Sequence, residues 1–81
     1  MNTIEKEKRT RDELAAMVVE DLSKMAGCPK IGIKVEVYGS NPWNAWLSFG
    51  VQAGPIRNRD ELRRFFEIIT DRLRRLYEVS D

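Results

Sequence analysis

The stretch that decides the fold is residues 31–53, Ile31-Gly32-Ile33-Lys34-Val35-Glu36-Val37-Tyr38-Gly39-Ser40-Asn41-Pro42-Trp43-Asn44-Ala45-Trp46-Leu47-Ser48-Phe49-Gly50-Val51-Gln52-Ala53. In its first part Ile31, Ile33, Val35 and Val37 alternate with Gly32, Lys34, Glu36 and Tyr38. A period of two with β-branched residues predicts a strand over 31–38 with one buried face. Gly39-Ser40-Asn41-Pro42 then carries turn chemistry, because Gly and Asn accept unusual dihedrals and Pro fixes φ at a corner. The alternation resumes with Ala45, Leu47, Phe49, Val51 and Ala53 on one face and Asn44, Trp46, Ser48, Gly50 and Gln52 on the other. This predicts a second strand over 45–53, and two such runs around a short turn predict a β-hairpin. Tyr38 opposite Trp46 and Tyr38 opposite Asn44 both keep the apolar face inward, so turn geometry decides the register.

Outward from the hairpin, the pattern changes to helical on both sides. Thr10 and Glu13 have the spacing of a capping box, and Leu14, Met17, Val18, Leu22 and Met25 recur at three- and four-residue intervals. Gly27 and Pro29 are stop signals, so the first helix is expected over 11–26. On the other side, Asn58 and Glu61 repeat the cap-plus-acid spacing. Leu62, Phe65, Phe66, Ile69, Leu73 and Leu76 form one stripe, with Ile68 outside it. The second helix is expected over 59–79. Residues 1–9 hold few apolar groups and read as a frayed arm or an extension of the first helix.

The expected architecture is therefore α+β, a single α-β-β-α domain over 10–81 with both helices packed on one face of the hairpin. A two-stranded sheet is marginal in water, and both of its strands are edges. A chain near 80 residues gains only about 3–5 kcal/mol from one core unless something staples it. A single cysteine allows no internal disulfide, and no histidine is present. Self-association is the remaining device, so a homodimer is expected, joined either through strand edges into a four-stranded sheet or through the second helix against its mate. The alternative is a monomer whose two helices cover enough of the hairpin, favoured if residues 1–9 shield its edges.

Composition narrows function further. Fourteen Lys and Arg balance thirteen Asp and Glu, which disfavours a polybasic nucleic-acid tail. The missing histidines remove Ser-His-Asp and Cys-His chemistry, and no cofactor or metal set is suggested. Adjacent carboxylates such as Glu20 with Asp21, or Asp60 with Glu61, face different ways on a helix, so an enzyme is not expected. The longest apolar run is Leu14 to Val19, far short of the roughly 18 residues of a membrane span. With no signal-like apolar segment after the N-terminal charges, the expected location is cytoplasmic.

Two clusters stand out as candidate sites. Tyr38 and Trp46 lie on the outward parity of the hairpin and Trp43 sits at its turn. Together they make an aromatic platform for an unidentified protein partner, an apolar ligand or a stacked base, unless they stabilise the hairpin across its strands or are covered by a second copy. All seven basic residues from Arg57 onward are arginines, whose planar fork suits phosphate. Arg63, Arg64, Arg74 and Arg75 are the candidate nucleic-acid contacts. However, Asp60, Glu61, Glu67, Asp71 and Glu78 fall between them. Pairs four apart (Arg63 with Glu67, Asp71 with Arg75, Arg74 with Glu78) predict a salt-bridged solvated face. Gly54 to Arg59 leads into a helix start that an anion could approach, but Asp60 and Glu61 compete for it. Cys28, at a helix C-terminal end with no base, reads as a small semi-buried apolar residue.

Overall fold

A computed structural model describes residues 6–29, 31–40 and 42–80. Expectations for residues 1–5 and for Asn41 in the turn lie outside them. Strand β1 (Glu7–Arg9) leads into helix α1 (Arg11–Ser23), strands β2 (Ile33–Tyr38) and β3 (Asn44–Phe49), helix α2 (Arg59–Leu76) and strand β4 (Tyr77–Val79). The chain is a small α+β domain, with a strand at each end that the expected α-β-β-α order lacked. β2 and β3 form one antiparallel two-stranded sheet, and β1 and β4 form a second, parallel one.

α1 starts where the capping box requires. The Thr10 hydroxyl accepts from the Glu13 amide at 3.1 Å, and the Thr10 amide donates to Glu13 Oε1 at 3.0 Å. Leu14, Val18 and Leu22 form its buried stripe. The helix stops at Ser23 rather than at 26. The Lys24 and Met25 amides turn to carbonyls three residues back, Asp21 and Leu22, tightening the last turn. α2 buries Leu62, Phe66, Ile69, Thr70 and Leu73. It ends at Leu76 rather than 79 because Tyr77 takes an extended conformation and residues 77–79 pair with 7–9. Leu76, placed in the apolar stripe by its spacing, is exposed at this last turn. Asn58 makes no side-chain cap. Its amide nitrogen donates instead to the Ala26 carbonyl at 3.2 Å, tying the start of α2 to the end of the α1 segment.

The hairpin register puts Tyr38 opposite Asn44, Glu36 opposite Trp46 and Val35 opposite Leu47. Both strands are shorter than their alternation suggests. At one end Gly32 adopts φ +83°, a left-handed conformation that keeps residues 31–32 out of β2. At the other, β3 stops at Phe49 and residues 51–53 form a single 3₁₀ turn. Val51 is consequently 99% exposed instead of inward. Val35, Ala45 and Leu47 of the hairpin join Leu14, Val18 and Leu22 of α1 and the buried stripe of α2 in one core.

The last residues of the expected N-terminal arm form a strand. Glu7, Lys8 and Arg9 pair with Tyr77, Glu78 and Val79. The Ser80 amide donates to the Arg9 carbonyl at 2.9 Å, and the Arg9 guanidinium lies 5.2 Å from the centre of the Tyr77 ring. These residues thereby cover β4 and leave the hairpin edges alone.

Candidate functional site

The three aromatics of the expected platform separate. Trp46 is 62% exposed and Tyr38 49% exposed, both on the hairpin face away from the core. Trp43 corrects the expectation: it is only 1% exposed. Its indole N–H donates to the Tyr77 carbonyl at 3.0 Å, locking the hairpin turn onto β4. Trp43 shares the parity of Ala45, Leu47 and Phe49, which is the sequence signal for an inward ring. Its place is structural, which leaves Tyr38 and Trp46 as the exposed members of the trio.

These two residues border a groove of about 520 Å³ that also takes in Phe66, Thr70, Asp71 and Arg74 of α2. Helix residues had no part in the sequence reading of this surface. Thr70 lies four positions after Phe66, so both occupy the same side of the helix. The Thr70 hydroxyl is buried with no hydrogen-bond partner among the described residues, and a buried hydroxyl left unpaired costs roughly 1–3 kcal/mol. Beyond it, the Asn44 side-chain carbonyl accepts from the Ala45 amide at 2.9 Å and from Arg74 Nη1 at 3.2 Å. Arg74 also pairs with Asp71 at 3.5 Å. The surface is mixed, with an aromatic and apolar stretch ending in a satisfied ionic cluster.

The four candidate nucleic-acid arginines do not share one environment. Arg63 lies over the Phe49 ring, 5.5 Å from its centre, beside Arg59 at 5.3 Å. Arg64 borders a separate hollow of about 370 Å³ with Met25, Phe65 and the exposed Ile68. Arg74 and Arg75 both pair with Asp71, Arg75 at 3.0 Å. The expected Asp71–Arg75 pair forms, whereas Arg74 turns to Asp71 instead of Glu78, and Arg63 to the aromatic ring instead of Glu67. On the opposite side, Arg72 binds Asp21 of α1, which also faces Lys24 at 3.6 Å. Exposed pairs of this kind contribute little to stability, but they draw α2 cations toward carboxylates of the same chain.

Burial pushes the Cys28 thiol above its ordinary pKa, which favours the protonated form, and its Sγ lies 3.5 Å from the Pro29 carbonyl. Among the described residues, no group of three or more His, Cys, Asp and Glu is placed to hold a metal ion. Nor, among them, is any helix long and apolar enough to cross a membrane. No family model matches the chain, and no curated protein or solved structure matches it.

Proposed function

We propose that this chain is a small non-catalytic protein–protein interaction module that works as a homodimer in the cytoplasm. In this reading, both helices back one face of the hairpin and a second copy completes the sheet. The observation that carries it is Trp46, 62% exposed on a two-stranded sheet whose outer edges pair with no strand among the described residues. An exposed indole and open strand edges are both groups that association covers. Shielding of those edges by residues 1–9 would have favoured a monomer, and of these residues 7–9 pair with 77–79 instead.

Replacing Trp46 with Ser tests the surface. The side chain is exposed, so the helical far-UV signal should stay as in the parent protein while self-association weakens several-fold. Sedimentation at a series of concentrations checks this. An unchanged association constant in a folded Trp46→Ser variant would take this face out of the contact and leave the strand edges as the surface that joins two copies.

A further inference from the structure

The geometry points to the outer edge of β2, and not that of β3, as the seam where a second copy joins, with a two-fold axis at Val35. This rests on the homodimer reading above and specifies its edge and register. In an antiparallel pair, residues alternate between those that exchange hydrogen bonds across the pair and those whose N–H and C=O point away from it. The Gly50 amide donates to the Gly32 carbonyl at 2.7 Å, and 32 faces 50 in the continued register of Ile33 with Phe49. Residues 34, 36 and 38 therefore bond to β3. Ile33, Val35 and Val37 direct their backbone groups outward along the free edge of β2, and Ala45, Leu47 and Phe49 do so along β3.

The two edges are not equivalent. On β3 the Ala45 amide is already taken by the Asn44 side chain, which Arg74 holds from the other side. β2 is instead a run of β-branched residues whose outward-facing side chains between them are Lys34 and Glu36, 3.3 Å apart. An antiparallel pairing of β2 with its own copy must match outward backbone groups with outward ones, which allows only shifts of two residues. Centred on Val35, it places Lys34 across from the partner's Glu36 and Glu36 across from the partner's Lys34. Shifted by two either way, it sets Glu36 against the partner's Glu36 or Lys34 against the partner's Lys34. Charge thus selects one register, because opposite charges across a ladder stabilise and like charges destabilise. In that register Ile33 meets the partner's Val37 on the inner face. Both of these residues are only partly buried in the single chain, whereas Val35 between them is buried.

A charge-swap series on the full chain tests this by sedimentation at low salt. Lys34 and Glu36 are exposed, so folding is checked by an unchanged far-UV spectrum. Lys34→Glu alone and Glu36→Lys alone should each weaken self-association about tenfold or more, since both ladder positions become like-charged. An equimolar mixture of the two variants, and the double variant Lys34→Glu/Glu36→Lys, should recover the parent affinity. Single variants that dimerise as tightly as the parent would overturn the β2 seam while leaving the homodimer in place. Weakened single variants with no recovery in the mixture or the double variant would overturn the register. A parent protein that is monomeric throughout would remove the homodimer reading itself.

Discussion

Trp43→Ala is expected to leave most molecules unfolded at 25 °C, with loss of the helical far-UV signal. The ring is almost fully buried, and it ties the turn before β3 to the Tyr77 carbonyl. Truncating a buried Trp costs about 3–5 kcal/mol from lost burial and the cavity left behind. The Tyr77 carbonyl would lose its indole donor as well, adding to that cost. A single core of this size supplies only about 3–5 kcal/mol in total, so the variant has no reserve. Trp43→Phe retains much of the apolar contact and should stay folded with a lowered midpoint. Because a dimer is stabilised by mass action, both variants should be compared with the parent at low and equal concentration. A Trp43→Ala protein with the parent's melting midpoint would contradict the structural role assigned to this ring.

Gly32→Ala should be the next most damaging change. Gly32 sits at φ +83°, where an L side chain is strained by about 1–2 kcal/mol. A Cβ there would also lie 2.2 Å from the Ala53 nitrogen and 2.7 Å from its Cα, both backbone atoms. The 3₁₀ turn at 51–53 must therefore shift, and the Gly50 amide bond to the Gly32 carbonyl shifts with it. Gly39 isolates the conformational part of the cost: its φ is +76°, yet its Cβ would meet nothing nearer than the Pro42 carbonyl at 3.6 Å. At about 4–8 °C per kcal/mol for a domain of this size, Gly39→Ala should lower the melting midpoint by roughly 4–16 °C. Gly32→Ala should lower it by at least twice that. Equal shifts in thermal scans would mean that the Ala53 contact carries no energy.

Much of this fold is legible in the sequence because its signals are local. The Thr10 and Glu13 spacing fixes a helix start through two reciprocal hydrogen bonds, and the parity of residues 33–37 and 45–49 fixes the inner face of the hairpin. The two terminal strands escape such a reading. Glu7-Lys8-Arg9 has no apolar alternation, and its pairing with Tyr77-Glu78-Val79 spans nearly the whole chain, so no periodicity within a window reveals it. Asn58 shows the limit of cap spacing: its side chain had two competing acceptor and donor options, and the Ala26 carbonyl took it. Trp43 has the inward parity of residues 45–49, but it follows directly on the turn residues 39–42, where strand alternation is not yet a guide to burial.

The groove beside the hairpin is half legible in the sequence. Trp46 and Tyr38 follow from strand alternation alone, and both are exposed. The helix side of their groove, with Phe66 and Thr70, depends on how α2 lies beside β3, which spacing along the chain does not encode. The arginines illustrate the converse. Their number in α2 suggests phosphate, but their partners decide, and Asp71, Asp21 and the Phe49 ring engage five of them.

The homodimer is tested most directly by the absolute mass in solution, from light scattering on a sizing column repeated across protein concentration. A mass of about 19 kDa, twice the 9.4 kDa chain, falling toward the chain mass only on dilution, is the expected result. A constant 9.4 kDa at every concentration would contradict it.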